Sequence, residues 1–188
     1  MIQYREESHG VISVPIYNRA ECKAVVEHVK QLSDWVAAEV RNENEAVTLP
    51  DVRSTRILYS DQAEELYRQF DVRMNLTLKP LVKQIWRISL ADHSGTQILR
   101  YGPADHYVPH QDTGPGFEYR YLSVVCYLND DFTGGQTSFP GFDYAAKPET
   151  GKAIIFPSDY LHCSEPVISG EKFVFVSWVK GPDPIKWI

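Results

Sequence analysis

From about Gln97 onward the chain abandons helical periodicity. It breaks into short apolar runs, Gln97 to Tyr101, Tyr121 to Leu128, Gly151 to Phe156 and Phe173 to Val179, divided by glycine and proline turns. Many short strands with regular turn signals point to a sandwich or barrel of the jelly-roll kind. Periodicity alone leaves the topology open.

Ahead of that switch the sequence reads as a helical support with flanking strands. Val11 to Ile16 has the β-branched character of a first strand, and Asn18 with Glu21 three residues later forms a capping-box start to a helix. Val25, Val29, Leu32, Val36 and Val40 recur at helical spacing, which extends this helix through Val40. A strand near Arg56 to Tyr59 precedes Asp61, a candidate cap for a second long helix running through Leu66, Phe70, Met74 and Leu81 towards Trp86. Pro80 lies inside it and removes a backbone donor, so a kink or break is expected near Lys79. The stripes are aliphatic with charges opposite, which suits packing.

The 188 residues are 43% hydrophobic, enough for one substantial core, and no linker or low-complexity tract divides them. A single domain over 1–188 is expected, with 1–96 as support and 97–180 as the catalytic core. A net charge of −6 without a clustered basic face argues against a nucleic-acid partner. Residues 1–16 lack a signal-peptide pattern, and no run of about 20 apolar residues offers a membrane helix, so a cytoplasmic protein is expected. Cys22, Cys126 and Cys163 are odd in number and lack CxxC spacing, which indicates neither a disulfide framework nor a zinc knuckle. Cys163 neighbours His162 but should turn to the opposite face of a strand.

His110 and Asp112 stand two apart in a stretch that reads as a strand, where alternate side chains share a face and Gln111 points away. His162 follows some fifty residues on, and Lys172 ten later. Two imidazoles and one carboxylate that leave other positions open are the ligand set of non-haem Fe(II) oxygenases. Taken alone, His-x-Asp is a weak signal; its neighbours strengthen it.

Those neighbours are Tyr101 and Tyr107 upstream, Tyr127-Leu128-Asn129, the run Gly134 to Pro140, and Lys172 at the head of a final strand. In this order and spacing the stretch from Gln97 to Trp178 resembles the prolyl 4-hydroxylase-like branch of the Fe(II)/2-oxoglutarate-dependent dioxygenases. Tyr101 to Asp112 is similar to the family's Tyr-x-x-Gly-x-x-Tyr-x-x-His-x-Asp, and Gly134 to Pro140 to its Gly-Gly-Glu-Thr-x-Phe-Pro. Ala104 replaces the usual glycine, which asks for an ordinary backbone there, and Gln136 replaces the usual glutamate.

The resemblance implies an α+β protein with a double-stranded β-helix core. It implies iron held by His110, Asp112 and His162, with 2-oxoglutarate and dioxygen at the open positions and ascorbate as reductant. Lys172 would neutralise the far carboxylate of 2-oxoglutarate, which lies in a low-dielectric interior. Tyr101 and Thr137 would donate hydroxyl hydrogen bonds to it. Tyr127 would join them if Ser123 and Val125 share its inward face. Tyr107 would stand at the mouth beside substrate, Phe139 would help form a dry wall, and Trp178 would fill the core without a chemical role. The implied reaction decarboxylates 2-oxoglutarate to succinate and hydroxylates an unactivated carbon; the Asp112 carboxylate favours hydroxylation over halogenation.

Other readings stay open. His106 and His110 have the spacing of a helical zinc pair, but Pro103 and Pro109 oppose a helix. A jelly roll that binds a ligand without catalysis is a non-enzymatic alternative. The substrate is undetermined, because one scaffold carries many. A prolyl peptide, a free amino acid or a small natural product all suit the short segment Thr113 to Tyr119. Arg120 could bind an acidic substrate or make a structural salt bridge, and the salt bridge is the expectation. The oligomeric state is not legible.

Overall fold

The computed structural model describes residues 2–42, 45–88 and 92–185. Its strands are β1 (Arg5–Ser8), β2 (Val11–Pro15), β3 (Val36–Ala37), β4 (Val40–Asn42), β5 (Glu45–Val47), β6 (Arg56–Leu58), β7 (Asp92–Tyr101), β8 (Tyr107–His110), β9 (Arg120–Tyr127), β10 (Thr133–Gly134), β11 (Thr137–Phe139), β12 (Tyr144–Ala146), β13 (Lys152–Pro157), β14 (His162–Ser164), β15 (Val167–Ser169) and β16 (Lys172–Lys180). The helices are α1 (Arg19–Lys30), α2 (Glu64–Arg73) and α3 (Lys79–Trp86). An eight-stranded sheet in the order β1-β2-β13-β9-β16-β7-β6-β3 faces a four-stranded sheet, β12-β11-β14-β8. The pairings are antiparallel, as a jelly roll requires.

The large sheet is buried on both faces, which is why its central strands are almost continuously apolar. The period of two sorts their side chains. Phe173, Phe175 and Val179 of β16 join Leu122, Val124 and Cys126 of β9 in a core shared with the helices. Val174, Val176 and Trp178 join Val125 and Tyr127 in a second core that includes Phe139 and Ala146 of the small sheet. Phe70 stacks on Phe175 with ring centroids 4.5 Å apart, and Phe139 meets Phe156 edge to face at 4.9 Å. Each buried ring of this kind contributes about 2–3 kcal/mol.

Helix α1 starts as the capping box predicts. Asn18 Oδ1 accepts from the Glu21 amide at 2.9 Å, and Glu21 Oε2 accepts from the Asn18 amide at 2.8 Å. It ends at Lys30, short of the predicted Val40. Trp35 folds back to donate to the Val29 carbonyl at 3.2 Å, and the β-branched Val36 and Val40 enter strands instead. The second helix begins at Glu64, and Asp61 does not cap it: the cap position is Ala63, with no side-chain hydrogen bond. The disturbance expected from Pro80 appears one turn earlier, as a π-helical turn over Met74–Leu78 in which Lys79 donates to Met74. Among the described residues no helix is long and apolar enough to cross a membrane.

Two turns position the site. Gly134 has φ +74°, and an added Cβ would meet the Pro166 carbonyl oxygen at 2.3 Å, so the turn before Thr137 admits no side chain there. Ala104 corrects an expectation: its φ is +70°, the left-handed region, not an ordinary conformation. The turn is held by its amide donating to Val167 O at 2.8 Å and by Asp105, whose Oδ2 accepts from the Gly102 amide, so the surroundings impose the strain.

Candidate metal and cosubstrate site

His110 at the end of β8 and His162 at the start of β14 are direct cross-strand partners, although far apart in sequence. Asp112 lies just past β8 and not within it; its amide donates to Ser158 O at 2.9 Å, which turns the carboxylate back towards the two rings. Gln111 points outward, as alternation predicts, and donates to Asp159 O. The donor atoms of His110, Asp112 and His162 lie within 4.8 Å of one another. Asp112 Oδ1 is 3.6 Å from His110 Nε2, and Oδ2 is 3.4 Å from His162 Nε2.

Each imidazole is oriented by the main chain. His110 Nδ1 is 2.8 Å from Val108 O and His162 Nδ1 is 2.9 Å from Tyr160 O. With Nδ1 engaged by the main chain, both Nε2 atoms face the carboxylate, the orientation a metal needs. Ser123 donates to Asp112 Oδ2 at 2.6 Å and lies 2.9 Å from the Ser158 hydroxyl. Burial pushes the Asp112 carboxyl up, but the His162 charge and hydrogen bonds from both rings outweigh it and hold it well below the usual range. Burial lowers His110; it lowers His162 too, but the Asp112 charge raises His162 overall. A hard carboxylate and two imidazoles, already oriented and open on one side, fit Fe(II).

The cavity beside these groups measures about 440 Å³, within the range of small-molecule sites. Lys172 is 1% exposed; its ammonium donates to Gly135 O at 2.7 Å and to Ser164 Oγ at 2.8 Å, and lies 4.4 Å from the Tyr101 ring centroid. Burial lowers its pKa to about 7, and among the described residues no carboxylate pairs with it. Tyr101 and Thr137 line the cavity. Tyr127 does not, which corrects its predicted place: its hydroxyl lies behind Thr137, 2.8 Å from Thr137 Oγ1. Ser123 and Val125 do share the inward face with it. Tyr107 stacks on His110 with centroids 3.6 Å apart.

Other placements differ from the sequence reading. Cys163 lines the cavity wall, though its thiol donates to Glu165 and it is not part of the metal-ligand group. Trp178 is not simply core filling, for it also lines the cavity. Arg120 stacks 3.8 Å over the Trp178 ring, donates to Asp112 O at 3.3 Å and lines the cavity. His106 bonds to Ser54, Asp51 O and Ala104 O, away from His110 as a metal partner. Arg53, Gln97 and Ser123 were not assigned to the site from sequence; a lone arginine or glutamine in a loop or strand carries no motif.

The profile of the 2OG-Fe(II) oxygenase superfamily matches residues 96–180, the segment that supplies the three donors and Lys172. That stretch is similar to the superfamily, and the relatives and solved structures the chain resembles include prolyl hydroxylases. Two relatives carry names that place them among the prolyl 4-hydroxylases. One, from Acanthamoeba polyphaga mimivirus, is 30% identical over 131 residues, 56% of this chain and 54% of that protein. The other, from Arabidopsis thaliana, is 27% identical over 203 residues, 92% of this chain and 69% of that protein. The chain thus spans about half the length of the first relative. In fold the chain is similar to a Pseudomonas putida prolyl-4-hydroxylase, with a TM-score of 0.74 at 20% identity over 94% of this chain and 95% of that one. A Trichoplax adhaerens prolyl hydroxylase, solved with a peptide of hypoxia inducible factor, gives 0.75 at 15% identity over 93% and 84%. The superfamily works with Fe(II) and 2-oxoglutarate.

Proposed function

We propose that the protein is a hydroxylase of unactivated C–H bonds, prolyl 4-hydroxylase-like, in which His110, Asp112 and His162 ligate iron and Lys172 holds the distal carboxylate of 2-oxoglutarate. What carries the reading is one cavity with three oriented ligand atoms and a buried ammonium that has no carboxylate partner among the described residues. Bound iron would supply the oxidation of the carbon by dioxygen, one oxygen atom going to the hydroxyl and the other to the succinate formed as 2-oxoglutarate loses carbon dioxide. The chain's residues do the positioning. Val108 O and Tyr160 O fix the imidazoles, and Ser123 fixes Asp112. The Lys172 ammonium replaces water around a carboxylate that would otherwise be costly to bury. Tyr101 and Thr137 offer hydroxyls to the same cosubstrate, and Tyr127 orients Thr137. Tyr107 shields one face of His110 at the substrate side.

The helices and the large sheet share one core, which supports a single catalytic domain. A cytoplasmic setting is part of the proposal, supported by three cysteines that stand free and buried. Anaerobic addition of Fe(II) and 2-oxoglutarate tests the function directly: a weak visible charge-transfer band is expected, and it is lost in His110→Ala. Absence of the band in the unaltered protein would favour a jelly roll that binds without catalysis.

A further inference from the structure

The cavity wall carries donors and charge in excess. Arg53 is 9% exposed. Its Nη1 donates to the main-chain oxygen of Glu39 at 3.1 Å and its Nη2 to Gln97 Oε1 at 3.0 Å, both neutral acceptors, while the buried Nε has no acceptor. Among the described residues no carboxylate forms an ion pair with it. Trp178, 6% exposed on the same cavity, likewise has a buried Nε1 without an acceptor.

A guanidinium keeps its charge at any working pH, and a buried charge without a counter-ion is costly. A neutral amide carbonyl could satisfy the Trp178 N–H, but it leaves the Arg53 charge unbalanced. A carboxylate on Arg53 balances that charge. Its place is also defined. The guanidinium carbon lies 5.0 Å from the Tyr107 ring centroid, and that ring rests on His110 at 3.6 Å, so an anion on Arg53 sits about one stacked ring away from a proposed iron ligand. A small acid spans that interval with few carbons between its carboxylate and the reacting one.

Resting on the hydroxylase reading above, we infer that Arg53 seats a carboxylate of the substrate, so that the site prefers a free carboxylate, on a small amino acid or on a peptide's C-terminus, to an internal peptide segment. The test is calorimetric titration of the anaerobic Fe(II)- and 2-oxoglutarate-loaded protein with the common amino acids, with short prolyl peptides ending in a free acid, and with the carboxamide of each. At least one acid is expected to bind, with affinity falling roughly tenfold or more on amidation, as a charge-assisted pair requires. Arg53→Gln abolishes that discrimination.

Gln97→Glu is the second variant: it places an internal carboxylate against Arg53 with little change of shape, and it is expected to cost acid binding as Arg53→Gln does. Binding of amino acids supports the small-acid source, and binding of acid-ended peptides the chain-end source. Amides bound as tightly as acids, no acid bound, discrimination surviving in Arg53→Gln, or a variant that weakens 2-oxoglutarate while keeping the acid preference each overturn the inference. The charge-transfer band, read before any acid is added, reports on the hydroxylase reading separately. Without the band that reading fails; with the band and equal acid and amide binding, the carboxylate inference alone fails.

Discussion

Ser123 and Asp112 are joined by a 2.6 Å hydrogen bond from the serine hydroxyl to Oδ2, the same oxygen that faces His162. The hydroxyl comes from the large sheet and the carboxylate from the bend after β8, so the bond ties the proposed ligand to the large sheet. Ser123→Ala is expected to weaken Fe(II) binding by roughly 10- to 100-fold without unfolding the protein, the usual cost of losing an orienting partner of a ligand. Titration of the charge-transfer band with Fe(II) reads the loss. Unchanged affinity would mean that the two imidazoles suffice to hold the carboxylate.

Lys172 makes 2-oxoglutarate binding depend on protons. Without the cosubstrate its pKa is lowered to about 7 by burial, and a bound dicarboxylate favours the charged form. Above neutral pH, binding therefore takes up a proton and affinity falls as pH rises. Calorimetry in two buffers of different ionisation enthalpy measures the uptake, and Lys172→Met is expected to abolish it while weakening binding by roughly 100-fold.

The same lysine has a sign for stability. Because its folded pKa lies below that of the unfolded chain, the unfolded state holds more protons between about pH 7 and pH 10, so this group makes the cosubstrate-free protein more stable as pH rises through that window. Thermal melts of the cosubstrate-free protein at pH 7 and 9 should show the rise, and Lys172→Met should flatten it.

Ala104 holds a left-handed backbone at φ +70° that glycine would adopt without strain. Ala104→Gly is expected to stabilise the protein by about 0.5–1 kcal/mol, the relief of strain less the added freedom of the unfolded chain. Urea denaturation decides it; a loss of stability would show that the turn is not strained.

Phe70 lies wholly buried against Phe175, on the helix side of the large sheet and away from the cavity. Phe70→Ala is expected to cost about 3–5 kcal/mol, while leaving iron affinity of the remaining folded protein close to that of the parent. Denaturation curves and the band titration together separate the two effects.

Local chemistry wrote much of this protein into its sequence. The Asn18–Glu21 box, the strands after Gln97 and the disturbance around Pro80 follow from caps, β-branching and a missing donor, all of which act within a few residues. The grouping of His110, Asp112 and His162 was legible through spacing and resemblance, because the chemistry of a metal limits which residues can serve. Contacts between distant segments were not legible. Val36 and Val40 keep a helical period yet pair as strands, Ala104 bends into a conformation its surroundings impose, and Tyr127 ends behind Thr137. Arg53 reaches the cavity from a loop by folding beside Tyr107, and nothing in its neighbours announces it. Burial, partners and unmet donors are properties of the packed chain, since each depends on which remote atoms exclude water from a side chain.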